Sequence, residues 1–243
     1  ILSLYSRNDD HKETGGNKTY KINFTQFIGN VKLGVTHSTG LKNASLYELY
    51  GNVGQKNINP EKSETNEAIF EYDFFKNIKF TSTAYRTRMK DRIKIKSDWS
   101  AYENKIPDTT QEGLENELKW FGNDQSISLI SHFAKSRTDS GGPNSRRPDL
   151  SYGVDYTKKF SLHKYGPFDL NISHRYIGDH IDWTGSKNEF VKSVDLVDMS
   201  IKKDWFGNVI FFNITNLLNE RYEKPATYSQ DGRQFRIGFT KLY

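Results

Sequence analysis

The side chains that could carry out acid–base or metal chemistry are scattered through this sequence of 243 residues. The acids Asp9, Asp10, Glu71, Asp73 and Asp91 are the residue types that form acid pairs or bind Ca²⁺, but their spacing forms no known ligand loop. No nucleophile motif, phosphate loop, dinucleotide fingerprint or pair of metal ligands is present. The sequence therefore predicts no catalytic residue, no metal site, no cofactor and no enzyme activity.

The aromatic residues near long polar stretches are better candidates for binding. Tyr47, Tyr50, Trp99 and Trp183 lie in or beside such stretches. Aromatic side chains suit contact with a large, partly apolar ligand. They are equally typical of the aromatic belts that flank a membrane, and for any single residue this second interpretation is favoured. We keep the four as candidates for ligand contact.

Composition excludes several classes of protein. Mean hydropathy is −0.79, and the sequence has no run of about 18 apolar residues that would form a transmembrane helix. There is no cysteine, so disulfides and thiol chemistry are excluded. The net charge is +5, but basic residues are spread along the chain rather than clustered. We therefore expect no nucleic-acid partner.

The elements that carry these residues are β-strands. Apolar and polar residues alternate in most segments, as in Phe168 to Tyr176, and no helical period is found. About twelve strands are predicted, near residues 1–9, 18–27, 30–39, 62–75, 78–92, 110–120, 125–137, 149–160, 167–178, 191–203, 207–215 and 232–243. The fold class is all-β and antiparallel.

The connections between these strands alternate in length. Short turns near residues 29–30, 76–77, 122–124, 165–167 and 205–208 alternate with long loops near 40–61, 93–109, 138–148, 179–190 and 216–231. Gly in four of the short turns would supply the positive φ that tight hairpins need. Bacterial outer-membrane barrels have short periplasmic turns and long extracellular loops. The alternation therefore favours a transmembrane β-barrel.

The last strand strengthens this interpretation. Phe235, Ile237, Phe239 and Tyr243 fall on one face, and polar residues or Gly fall on the other. An apolar outer face and an aromatic last residue are typical of the closing strand of an outer-membrane barrel. We expect these four residues to form the strand through which the barrel assembly machinery acts.

The sequence resembles the C-terminal barrel half of TonB-dependent outer-membrane receptors. The resemblance depends on four segments in the family's order, although Asn43-Ala44 stands where the family usually has Pro, and Lys241 and Tyr243 depart from its last strand. The segments are Ser3 to Tyr20, Leu41 to Ser63, Arg146-Arg147-Pro148 and Asn216 to Tyr222 with Gly232-Arg233.

The resemblance implies a larger protein. Such receptors have 22 strands around a plug, so residues 1–243 are expected to be a fragment of the barrel, without the signal peptide, TonB box, plug and N-terminal strands. It implies a location in the bacterial outer membrane, in contact with its lipid. It also implies uptake of a scarce siderophore or corrinoid, energised by the TonB complex. Inward polar residues such as Arg175 and Arg236 would then support the plug.

Three other interpretations stay open at this point. A complete small outer-membrane barrel could be a protease or phospholipase, which would need inward-facing catalytic groups near the outer rim. It could also be a passive channel. A soluble all-β binding module would need a second sheet to cover the face that carries Phe235, Ile237 and Phe239.

Overall fold

The computed structural model describes residues 1–12, 15–105, 108–138, 142–184 and 187–241. These residues form sixteen strands and one short helix. In chain order they are β1 (Leu2–His11), β2 (Gly15–Ile28), β3 (Val31–Lys42), α1 (Leu46–Tyr50), β4 (Glu61–Phe75), β5 (Ile78–Lys90), β6 (Arg92–Ile95), β7 (Tyr102–Lys105), β8 (Thr109–Phe121), β9 (Gln125–Thr138), β10 (Leu150–Leu162), β11 (Gly166–Ile177), β12 (His180–Trp183), β13 (Asn188–Val191), β14 (Val194–Trp205), β15 (Asn208–Thr215) and β16 (Gln234–Lys241). In the described ranges, no helix is long and apolar enough to cross a membrane.

Twelve of the strands form one sheet. Its order is β1-β2-β3-β4-β5-β8-β9-β10-β11-β14-β15-β16, so each long strand pairs with the next long strand in the chain. The recorded registers are antiparallel. The predicted all-β, antiparallel fold is confirmed, and each of the twelve predicted strands overlaps one strand of this sheet.

The remaining strands lie inside connections that were predicted as loops. β6 pairs with β7, and β12 pairs with β13, each as a separate two-stranded hairpin of four-residue strands. Strands this short show too few alternating positions for a sequence period to reveal them. The long connections are therefore partly folded.

Contacts divide the chain into two compact units. The first unit comprises residues 1–70, 83–113 and 135–144, and the second comprises residues 71–82, 114–134 and 145–243. Each unit is described below by itself.

The sheet of the second unit has one apolar and one polar face. Ile172 lies opposite Met199 and Leu170 opposite Ile201, whereas the intervening pair Asn171 and Ser200 lies on the other face. The last strand repeats this pattern, and Phe235, Ile237 and Phe239 are 64%, 78% and 58% exposed. Tyr243 lies outside the described residues. Large apolar side chains exposed along one face of a sheet are typical of contact with lipid.

Glycine occurs in the short turns for two different reasons. Gly29 and Gly207 have φ values of 56° and 75°, in the left-handed region that favours glycine, as predicted. Gly122 does not have a positive φ. A Cβ there would instead lie 3.0 Å from the ring of Trp120. At this turn glycine leaves room for a neighbouring aromatic side chain.

A small apolar cluster organises the long connections of the first unit. Leu49 of α1 packs with Ala44, Ile58 and Ile93, and Tyr102 packs against them. Ser45 caps α1, because its side chain accepts from the N–H of Glu48 while the Glu48 carboxylate accepts from the N–H of Ser45. The capping-box pattern Ser45 to Glu48 is visible in the sequence, but the predictions did not include a helix here.

Candidate functional site

Three connections of the second unit meet at one carboxylate. They are the segment Ser145 to Asp149 before β10, the β12–β13 hairpin, and the segment 216–233 before β16. Asp182 of the hairpin has no exposed surface. A buried charge needs partners that replace water. The neighbouring segments supply them.

Asp182 is bound from both flanking segments. Its Oδ1 accepts from Nε of Arg146 at 2.6 Å and from the hydroxyl of Ser145 at 2.9 Å. Its Oδ2 accepts from the backbone N–H of Ala226 at 2.9 Å. One side chain thus joins residues 37 positions earlier and 44 positions later in the chain. We call this cluster of Ser145, Arg146, Asp182 and Ala226 the Asp182 clasp.

The partners of Asp182 set its protonation. Burial raises the pKa of a carboxyl group, but the hydrogen bonds from Arg146, the Ala226 N–H and Ser145 outweigh that effect, so the pKa of Asp182 lies below its ordinary value. The carboxylate is therefore ionised at neutral pH. It pairs with the guanidinium of Arg146, whose side chain is 60% exposed.

The backbone around the clasp is fixed as well. Arg146 has a φ of 62°, which is uncommon for a residue with a side chain. Its N–H donates to the carbonyl of Ile181 at 2.8 Å. The N–H of Trp183 donates to Oγ of Ser145, also at 2.8 Å. Hydrogen bonds on both sides of Asp182 thus tie Ser145 and Arg146 to the hairpin.

The long segment before β16 is tied down by its asparagines. The Asn216 side chain is almost fully buried; it accepts from the N–H of Glu220 and donates to the carbonyls of Glu220 and Asp231. Oδ1 of Asn219 accepts from the N–H of Arg233 at 2.9 Å. Both residues have positive φ, which Asn tolerates better than most residues. The Asn216 to Asn219 motif therefore has a structural role in closing this loop.

A cavity of about 440 Å³ lies beside the clasp. Its volume is in the range of small-molecule pockets, so it can hold one part of a larger ligand. Apolar walls come from Pro148, Ile177, Val191, Val194 and Pro225, and polar or aromatic groups come from Arg146, His180, Lys192, Tyr222, Glu223 and Lys224.

The charged groups in the largely apolar cavity lining are mostly basic. Arg146, Lys192 and Lys224 contribute three cations, and Glu223 is the one acid among the lining residues. Oε2 of Glu223 already accepts from the N–H of Thr227 at 2.7 Å. Within the part of the chain that the structure describes, the amines of Lys192 and Lys224 have no hydrogen-bond or ion-pair partner. The arrangement favours a ligand group with negative charge.

The four aromatic candidates lie in both units. In the first unit, Tyr47 and Tyr50 belong to α1, and Trp99 lies in the β6–β7 connection. All three side chains are exposed, each over about half of its surface or more. The Tyr47 ring stands edge-on to Tyr102 at 6.2 Å, and Lys56 lies 5.3 Å from the Tyr50 ring centre. Their contact with a ligand stays a prediction.

Trp183 is the candidate that lies next to the clasp. It follows Asp182 directly, and its indole-bearing side chain is half exposed. The sequence predictions included Trp183 but missed Asp182. The sequence feature that could have indicated Asp182 is a single acid between two large apolar residues, Ile181 and Trp183, in a polar stretch. That pattern is too common to single out a residue without the fold.

The scattered acids and histidines form no metal centre in the described residues. Asp9 pairs with Arg7 at 2.7 Å, and Glu71 pairs with Lys79 at the same distance. His174 lies on the apolar face between Tyr152 and Asp195, 2.8 Å from the Asp195 carboxylate. These groups are engaged in ordinary pairs along strands.

Comparison with known proteins identifies the family. Residues 2–217 match the family described as TonB dependent receptor-like, beta-barrel. The vitamin B12 transporter BtuB of Vibrio cholerae serotype O1 is 26% identical over 98% of this chain and 39% of its own length. The chain thus spans about two-fifths of the curated relatives that it matches.

Solved structures show the same fold. The siderophore receptor PirA from Acinetobacter baumannii superposes with a TM-score of 0.81 at 17% identity, over 99% of this chain and 43% of PirA. A point mutant of the ferric enterobactin receptor PfeA from Pseudomonas aeruginosa gives 0.81 at 18% identity, over 99% of this chain and 42% of that chain. The chain belongs to the β-barrel family of TonB-dependent receptors, which are proteins of the Gram-negative outer membrane.

Proposed function

We propose that this chain forms barrel wall and extracellular loops of a receptor that takes up a large, scarce nutrient with energy from TonB. The observation that carries the proposal is the basic cavity beside the Asp182 clasp, at the long-loop end of the strands. Residues 1–243 would be one part of the barrel, and the plug and the contact with TonB would belong to the rest of the receptor.

The charge of the cavity supports one class of ligand. Three cations around apolar walls suit an anionic ligand with a large apolar surface. A ferric catecholate complex carries such a charge, whereas a corrinoid offers mainly neutral surface. Siderophore receptors are among the structural neighbours, and a vitamin B12 transporter is among the curated relatives. Between the two, the lining favours the ferric siderophore.

The clasp supports a role for the loops in capture. A ligand site built on loops must be ordered before the ligand arrives, or the ordering reduces the affinity. The Asp182 clasp and the Asn216 bonds hold three loops through contacts within the chain itself. We propose that Trp183, beside the clasp, contacts the ligand, and that Tyr47, Tyr50 and Trp99 are further contacts in the first unit.

The last strand has a separate role in this proposal. Phe235, Ile237 and Phe239 present an exposed apolar stripe, which suits insertion into lipid with help from the barrel assembly machinery. The complete small barrel, either a channel or a protease or phospholipase, is not favoured, because the relatives reported above are named as receptors and transporters.

Uptake by living cells tests the proposal. A strain that lacks the receptor would be complemented with the complete protein and supplied with ferric enterobactin, other ferric siderophores or vitamin B12, with TonB present or deleted. Accumulation of a ferric siderophore that needs both the receptor and TonB is expected. Equal accumulation without TonB would indicate a passive channel and would overturn the proposal.

A further inference from the structure

Four basic residues lie together at the long-loop end of the first unit. Lys18 is near the start of β2, Lys62 near the start of β4, and Arg88 and Lys90 at the end of β5. They line a cavity of about 390 Å³. We call these four residues the basic rim. The basic rim is separate from the Asp182 clasp and shares no residue with it.

The basic rim lies on the apolar face of the sheet. Asn8 is opposite Lys18, Leu4 opposite Ile22 and Leu2 opposite Phe24, so Lys18 shares a face with these apolar residues. Leu2, Leu4, Ile22 and Phe24 are all exposed. In a barrel this face meets lipid.

Side-chain bonds extend the same face to the other two strands. Ile22 lies opposite His37, and Nδ1 of His37 is 2.8 Å from Oδ1 of Asn66. Lys62 therefore lies on this face, four residues before Asn66. Thr65 and Thr87 share a hydrogen bond of 2.9 Å on the other face. Arg88 and Lys90 alternate with Thr87 and so share the face of Lys62.

The basic rim lies where apolar side chains give way to loops. Tyr20 and Ile22 occupy the next positions on the same face of β2, so the charged ends reach just beyond the apolar band. In a membrane that level is the headgroup layer. Arg88 pairs with Asp108 at 3.1 Å. The amines of Lys18, Lys62 and Lys90 have no hydrogen-bond or ion-pair partner among the described residues.

The second unit shows that such a rim is not general. On its apolar face, Leu129 lies opposite Val154, and Val154 opposite His174. Within the second unit, the side chains at the long-loop end of that face are Phe133, Tyr152, Tyr176 and Asp195. These are three aromatic residues and one acid. Lys135, the next residue of β9 on this face, belongs to the first unit. The concentration of cations is therefore a property of the first unit.

We propose that the basic rim binds the phosphate group of an outer-leaflet lipid. Three uncommitted amines and one guanidinium around a shallow cavity match a phosphate, which carries about −1.5 to −2 charges as a monoester. Glu64 is the one acid among the lining residues, so the four cations of the basic rim outnumber the acids in the cavity lining. A lipid adds acyl chains that lie along Ile22 and Phe24, which free phosphate cannot do. The occupant is a phosphorylated lipid.

Lipid retention tests this inference independently of uptake. The complete receptor would be purified from its own outer membrane in mild detergent, and bound lipid phosphate would be measured by mass spectrometry. The variant carries Lys18→Gln, Lys62→Gln and Lys90→Gln. The control carries Lys158→Gln, Lys159→Gln and Lys164→Gln, which remove the same charge at exposed positions near the opposite ends of strands in the second unit.

We expect wild type and control to retain phosphorylated lipid, and the basic-rim variant to retain at least about tenfold less. Equal retention in all three would overturn the inference. A second measurement needs only wild type: phosphorylated lipid in detergent micelles should displace the bound lipid, whereas the same lipid after dephosphorylation or inorganic phosphate at equal concentration should not. Displacement by inorganic phosphate alone, or by both lipids equally, would also overturn it.

Discussion

Asp182 accepts a hydrogen bond of 2.6 Å from Nε of Arg146, a residue 36 positions earlier in the chain. The same carboxylate accepts from the N–H of Ala226 in a third segment. The buried carboxylate is stable only when all three segments are in place, because a segment that detaches leaves Asp182 without one of its hydrogen-bond partners. The Asp182 clasp thus couples three loops into one surface beside a basic cavity.

Asp182→Asn should loosen all three segments together. The amide keeps the shape of the side chain but loses the charge that strengthens the bonds from Arg146 and Ala226. Loss of these bonds lowers the free energy of local opening by about 1–3 kcal/mol. Hydrogen exchange in peptides around Ser145, Asp182 and Ala226 should accelerate by about fivefold or more.

Asp195→Asn is the matched control for that experiment. Asp195 lies in the same unit and pairs with His174 at 2.8 Å, but half of its side chain is exposed, so its replacement should leave exchange in the three loops unchanged. Faster exchange at only one of the three segments in Asp182→Asn would show that the clasp does not couple them.

Acid should open the same loops in a defined range. Because the pKa of Asp182 is lowered in the folded protein, its contribution to stability is complete above the ordinary carboxyl pKa of about 3.9. That contribution is lost as the pH falls through the lowered value. Exchange of peptides over 180–184, corrected for the intrinsic effect of pH, should rise only below about pH 4. In Asp182→Asn this pH-dependent step should be absent; a step that persists would assign it to another group.

Gly238→Ala should destabilise the last strand pair. Gly238 lies opposite Phe211, and a Cβ on Gly238 would overlap the Phe211 ring. The ring must move, at a cost of about 1–3 kcal/mol. Gly16→Ala is the control, because nothing lies within 4 Å of its Cβ position. Urea midpoints of the receptor in detergent micelles would be compared, and equal midpoints would contradict the packing described for Phe211.

Leu49→Ala should disrupt the loop cluster of the first unit, whereas Leu46→Ala in the same helix should not. Leu49 is 3% exposed and Leu46 is 77% exposed. Removal of a buried Leu side chain costs about 2–5 kcal/mol, and an exposed one costs little. The measurement is the rate of protease cleavage within residues 43–60. Similar rates for the two variants would show that the cluster does not hold this connection.

The sequence predicts the sheet well because its signal is repeated. Each of the twelve strands of the large sheet is at least eight residues long, and apolar and polar residues alternate in most of them, so a period of two is detectable. The face of Phe235, Ile237 and Phe239 follows from the same rule. The positive φ of Gly29 and Gly207 follows from the turn that each occupies.

The candidate site could not be predicted in the same way. The Asp182 clasp depends on contacts between segments 36 to 44 positions apart, and no local pattern encodes those distances. The β12–β13 hairpin that presents Asp182 has strands of four residues, too short for a period. By contrast, Asn216 and Asn219 were noticed as part of a motif, and the structure assigns them bonds that close a loop.

Equilibrium binding to the cavity tests the central claim most directly. The complete receptor would be titrated with ferric enterobactin as wild type, as Lys192→Gln with Lys224→Gln, and as Lys158→Gln with Lys164→Gln. We predict that the cavity variant binds about tenfold more weakly or worse, a loss of about 1.4 kcal/mol, while the second pair of substitutions leaves affinity unchanged. Equal affinity in all three proteins, or binding of vitamin B12 in place of ferric enterobactin, would contradict the account.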